Sequence, residues 1–327
     1  TQEYSFTTQF DLVKPTGVNS QGCSCGVQSY TYDANGFMAS QTDFNGNVTT
    51  YTRDALGLEL TRTDAFGTPQ ARTIATTWHQ TYRLPLTITE PNRTTSFTYD
   101  AKGNLLTKSF TSGSLTQTWA YTYNGNGQVL TATDPDGHTT AYTYNATGGV
   151  ATITNALGQV TSIPSYDANG HPLTIQDPNG LTTTLTYSSR GWLTSRTVGT
   201  ETTTYTYDAV GQLTKATLPD GSYLAMTYDA AHRLTGISDN LGNRIAYTLD
   251  AMSNLTKEEV FDPSNHLVQT RAHVYDQLNR LAQDIGAQNQ TTTFSRDNNG
   301  NITGVTDPLN HASRNDFDAL NRLIQAT

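Results

Sequence analysis

The nine residues YTYDANGFM that begin at Tyr30 return as YTYDAVGQL from Tyr205 and as MTYDAAHRL from Met226. Aligned on its acidic position, the motif falls at Asp33, Asp54, His79, Asp100, Asn124, Asn145, Asp167, Ser188, Asp208, Asp229, Asp250, Asp276, Asp297 and Asp318. Most intervals are 20 to 22 residues, stretched to 25, 24 and 26 at three places. A fixed period of this length means that one supersecondary unit is copied along the chain. Midway between copies stands a second turn, as DFNG at Asp43, DPDG at Asp134, DPNG at Asp177 and DNLG at Asp239.

Each unit reads as a β-hairpin. In Tyr30, Thr31, Tyr32 and in Tyr205, Thr206, Tyr207 the aromatics share one face of a strand and Thr takes the other. In the D-x-x-G turn, Asp caps the backbone two residues on and Gly accepts a positive φ. Where Gly is lost, Asn279 and Asn321 are the next best left-handed residues. The repeat positions expected to carry the structure are Tyr32, Asp33 and Gly36, Tyr99, Asp100 and Gly103, Tyr207, Asp208 and Gly211, Tyr228 and Asp229, and Tyr275 and Asp276. Two turns leave about 13 residues per period, enough for two strands of about six. The fold class is therefore all-β: about fourteen hairpins in one long antiparallel meander of about 28 strands, with almost no helix. Adjacent strands rotate by about 20 to 25°, so such a sheet must coil on itself. The second aromatics form a predicted ladder of stacked cross-strand neighbours, broken at Arg53, Leu249 and Arg296. The long periods predict extended loops near Gln70–Thr76 and Asp262–Leu267, and Pro164 predicts an irregular strand.

Hydrophobic residues make up 35% and charged residues 14% of the 327, too little apolar material for a compact filled core. A sheet that is wet on both faces or encloses a hollow fits better. The net charge of -9 argues against a nucleic-acid partner, which would call for a basic stripe, and no apolar run is long enough for a membrane-spanning helix. Residues 1–25 read as a lead-in and residues 26–327 as one continuous repeat domain, and the look of its ends reads as a fragment of a larger protein.

The motif Y-x-Y-D-x-x-G-x-L at about 21-residue spacing, with D-P-x-G turns between, resembles the RHS repeat family, also called YD repeats. The resemblance covers all but about the first 25 residues. It implies hairpins spiralling into a hollow shell, as in bacterial Rhs polymorphic toxins, the shell components of insecticidal Tc toxins and the teneurins. In the toxins the shell encloses an effector; in teneurins it is part of an adhesion receptor. The self-cleaving aspartates of the toxin core segment match no stretch here, so proteolysis is carried over to no residue.

Sites of other kinds are sparse. Cys23 and Cys25, in GCSCG, are the only cysteines and supply at most half of a metal site or an intermolecular pairing; reduced or locally oxidised cysteines in a turn-rich cap are the plain reading. DPDGH (Asp134, Asp136, His138) and DFNGN (Asp43, Asn45, Asn47) begin like calcium loops but lack the distal Glu. The seven histidines are scattered, and no hydrolase, zincin or phosphate-loop motif occurs. The periodic carboxylates are already explained as turn caps. With no site of this kind to set against it, the resemblance implies a non-catalytic, cofactor-free wall of a secreted or cell-surface bacterial protein, whose partner is the rest of the same polypeptide or an encapsulated effector. The alternative is an adhesin or self-assembling fibre that binds glycans, through Tyr and Trp beside Asn and Asp, or copies of itself through end strands.

Overall fold

The computed structural model describes residues 3–9, 12–19 and 27–327. Among these, the chain consists of strands and turns, with no α-helix. Thirty strands run from Glu3–Gln9 to Leu323–Ala326. The two beyond the expected number, Glu3–Gln9 and Leu12–Asn19, pair with each other inside the lead-in. Cys23 and Cys25 lie outside the described residues.

The chain forms two compact units: one holds the residues up to Thr118 together with His273–Thr327, and the other is Trp119–Ala272. Within each, strands pair antiparallel with their neighbours in sequence. Each repeat is a hairpin because its turn closes locally. Asp33 N–H donates to Phe37 O at 2.8 Å and Gly36 N–H to Asp33 O at 3.0 Å, with Gly36 at φ 80°. This is a three-residue loop ending in a left-handed residue. Asn279 (φ 60°) and Asn321 (φ 56°) fill that place where Gly is missing.

A β-bulge sits at the same point of hairpin after hairpin. Thr31 faces Ser40 but Tyr32 faces Met38, so Ala39 is left over. The same slip recurs at Arg53, Trp78, Tyr144, Tyr187, Tyr207, Tyr228 and Arg296. A bulge sharpens local right-handed twist, so the bend is written into the unit rather than imposed by distant packing. In Val160–Tyr166, which contains Pro164, the register slips twice, as proline in a strand predicts.

The loop expectations are half met. The first long period does open the turn, leaving residues 67–71 between Glu59–Phe66 and Arg72–Trp78. The second does not. Asp262 closes an ordinary turn, its N–H donating to His266 O at 3.0 Å, and the extra residues lengthen the strands Leu255–Phe261 and Leu267–Tyr275. Inserted residues in register extend a ladder of backbone bonds, which costs less than an unpaired loop.

No filled core develops. Among the described residues the buried hydrophobics are Ala65, Ile74 and Leu185. The aromatic face of the strands is half-buried, while the Thr face is open to water, as at Thr31, Thr52, Thr122 and Thr227. Hydroxyls on that open face pair across the hairpin, Thr52 with Thr61, Thr98 with Thr107 and Thr143 with Thr152, each at 2.6 Å.

Candidate functional site

The periodic aspartates act as acceptors for their own turns. Asp33 Oδ1 accepts from the N–H groups of Asn35 and Phe37, both at 2.9 Å. Asp208 does the same with Val210 and Gln212 at 3.0 and 2.9 Å. Asp100 adds the Asn104 side-chain amide on Oδ2 at 2.8 Å, and that bond holds its carboxyl below the usual range. At Asp229 the backbone N–H and guanidinium of Arg233 lower the carboxyl. At Asp276 burial pushes up, but the Arg280 side chain and N–H outweigh it and the net direction is down. Carboxylates engaged in this way serve their own turns as acceptors of main-chain and amide hydrogen bonds.

The second aromatic of the motif holds one repeat to the one before it. Tyr207 Oη donates to Leu193 O and Tyr228 Oη to Leu213 O, both at 2.9 Å; Tyr99 Oη donates to Pro85 O at 2.9 Å and Tyr144 Oη to Val129 O at 2.7 Å. The acceptor is the residue that starts the preceding return strand, at the bulge. Tyr32 reaches Pro15 O in the lead-in hairpin at 2.6 Å. Tyr275 takes the same place in its strand, its ring 6.5 Å from that of His273.

Here the expected stacked ladder needs correcting. Ladder residues lie on alternate strands, about 9.5 Å apart, so a return strand separates them. Ring contacts instead run to the residue that ends the preceding turn: His171 stacks on Tyr187 at 4.8 Å and Trp192 lies against Tyr207 at 5.5 Å. Nor do Arg53 and Arg296 break the series. Arg296 Nη2 donates to Leu281 O at 3.0 Å and Arg53 Nε to Met38 O at 3.4 Å, as Trp78 Nε1 does to Glu59 O at 2.8 Å. Where Phe317 has no donor, Asn315 on the same face supplies one to Ile302 O at 3.0 Å. At Arg53, Trp78 and Arg296, as at the tyrosines, the position carries a long side chain with a terminal donor, which reading it as aromatic hid; Leu249 and Phe317 carry none.

Of the two calcium-like turns, DPDGH brings Asp134, Asp136 and His138 ligand atoms within 4.8 Å of one another. Asp134 is already committed: Oδ1 accepts from the N–H groups of Asp136 and His138, and Oδ2 lies 3.1 Å from His138 Nδ1.

DFNGN has a different use. In the first unit the turn Asp43–Gly46 meets the turn Asp297–Gly300. Asn45 Nδ2 donates to Asp297 Oδ2 at 3.0 Å, and Asn299 Nδ2 donates to Asp43 Oδ2 at 2.7 Å. Asn45 N–H also reaches Asn299 Oδ1 at 3.1 Å. Burial opposes ionisation of Asp297, but the amides of Asn301 and Asn45 more than offset it, and its carboxyl is lowered. Beside this contact is a cavity of 360 Å³, lined by Gln41, Asp43, Asn47, Asp64 and Arg72 together with Leu320 and Arg322. Nothing in the sequence pattern marks these two turns as partners, because the contact joins residues 254 apart.

The comparisons with known proteins agree with this architecture. No curated protein sequence matches the chain. Among solved structures, a TcdB2-TccC3-TEV crystal structure superposes over 99% of this chain and 19% of its own, with a TM-score of 0.75 at 16% identity. The Photorhabdus luminescens Tc holotoxin pore gives 0.74 at 17% identity, over 99% of this chain and 19% of the other. A TcdB2-TccC3 crystal structure without its hypervariable C-terminal region gives 0.70 at 15%, over 95% and 20%. The chain thus spans about a fifth of the length of these neighbours, and the likeness is one of fold. The RHS repeat model matches residues 32–69 and the teneurin YD-shell model matches residues 79–307. With most of its length matched by that model, the chain belongs to the teneurin YD-shell family.

Proposed function

We propose that this chain is a non-catalytic wall segment of a secreted or surface protein, and that the wall encloses or presents another polypeptide. One observation carries the reading: apart from the contact between the Asp43 and Asp297 turns, the side-chain bonds described between repeats run to the neighbouring repeat, and among the described residues no central core forms. A globular domain fills its middle with apolar side chains; here three small-to-medium hydrophobics are buried among the described residues. The side-chain donors that replace such a core (Tyr207, Trp78, Arg296) act within the thickness of the sheet, which frees the space beside it. The half-buried aromatic face and the wet Thr face suit a partition with something on each side. The similar fold in structures that contain TcdB2 and TccC3 supports an enclosed or presented partner. Residues 26–327 would form the wall and residues 1–25 its lead-in.

Single-particle electron microscopy of the purified chain tests this. Separate, curved, hollow particles are the expected result. Solid globules, or filaments of uniform rise, would sink the wall reading.

A further inference from the structure

The two facing D-x-N-G turns in the first unit form a reciprocal contact, each Asn reaching the carboxylate of the other turn. We propose that this contact is a latch: it sets which two turn edges of the strip meet, and its release widens the cavity beside it. It deepens the wall reading by locating where such a wall gives way, but seam opening can be read whatever the wall encloses.

Three observations carry the assignment. First, the groups match in both directions. Each Asn amide donates to the carboxylate of the other turn, and Asn299 Oδ1 in addition accepts from Asn45 N–H. Second, the contact borders open space. The cavity beside it is lined by Asp43 and Asn47 of the bonded turn and by Asp64 and Arg72 of the next repeat, together with Leu320 and Arg322, so the bonds close the seam at one edge of that space. Third, the latch is braced from behind. Asn321 Oδ1 accepts from Asn299 Nδ2 at 3.0 Å and from Asn301 Nδ2 at 2.8 Å, which fixes the rotamer of Asn299. The DPNG turn at Asp177 carries Asn179 in the same local geometry, its N–H 2.9 Å from Asp177 Oδ1. It lies outside the seam and serves as the matched control.

The experiment uses the whole chain with Cys23 and Cys25 replaced by Ser and new cysteines at Thr49 and Ala319, which line the cavity from its two sides. Crosslinking across the cavity reports closure, and hydrogen exchange reports the seam amides. Asn45→Ala with Asn299→Ala should raise exchange in the strands flanking the two turns by about tenfold, the effect of losing about 1.4 kcal/mol, and cut the crosslink yield. Asn179→Ala should change neither. Asn299→Asp adds a discriminating signature: a carboxylate placed against Asp43 opens the seam at neutral pH and lets it close again as the pH falls through about 4. A double variant indistinguishable from Asn179→Ala, or an Asn299→Asp chain that stays closed at neutral pH, overturns the latch. If the double variant unfolds throughout, the Asn299→Asp titration decides alone.

Discussion

A single hydroxyl separates tyrosine from phenylalanine, and at the ladder position that hydroxyl is what the fold uses. Tyr207→Phe keeps the ring against Trp192 but removes the donor to Leu193 O. The expected loss is about 0.5 to 1.5 kcal/mol in a denaturant titration; no loss would mean that ring packing alone holds the repeats. Arg296→Met should cost a similar amount, because its guanidinium makes the same bond, whereas Arg296→Tyr should be tolerated. Burial raises the Tyr207 phenol above its usual value. Since the protonated form is favoured in the fold, its contribution is present below about pH 10 and fades as the pH rises through the higher folded value.

The hairpin is the element that the repeats spell out, and most of it could be read in advance. Asp, Gly and alternating Tyr and Thr each act within a few residues, so their meaning survives in one dimension. The bulge could not be read, because Ala39, the unpaired residue, has no special type. Nor could the rule that Arg53 and Trp78 replace Tyr, which depends on a carbonyl one repeat away. Turns also touch each other along the edge of each unit, and glycine shows where. A Cβ on Gly211 would lie 2.7 Å from Trp192, while one on Gly221 meets nothing within 4 Å. Both residues have positive φ, so Gly221→Ala should cost the left-handed strain alone, about 1 to 2 kcal/mol, and Gly211→Ala distinctly more. Equal losses would show that Trp192 moves aside freely. Limited proteolysis should cut first at residues 67–71 and spare the tight turn at Asp262; cleavage at Asp262 would contradict the closed turn.

At the scale of the whole molecule, acid is the natural challenge. Hydrogen bonds from Asn254 to Asp250 and from His171 to Asp167 lower those carboxyls, as those from Arg322 lower Asp318. Groups lowered in the fold stabilise it above their unfolded value near pH 4, and that contribution disappears as the pH falls through the lowered values. The denaturation midpoint should therefore hold from neutral pH to about 5 and drop below about 4. A midpoint unchanged at about pH 3 would mean that the turn carboxylates contribute nothing.

The meeting of the Asp43 and Asp297 turns also makes the molecule count. Bonds that reach only one hairpin back are indifferent to how many hairpins there are, so most of this chain could gain or lose a unit without noticing. The paired Asn residues cannot. Removing the 21 residues from Asp276 to Arg296 would advance the Asp318 turn into the place of the Asp297 turn and set Leu320 where Asn299 now stands. Insertions and deletions of whole units, the easiest change for a repetitive gene to make, are thereby checked at one spot, and repeat number becomes a property that the fold itself can enforce.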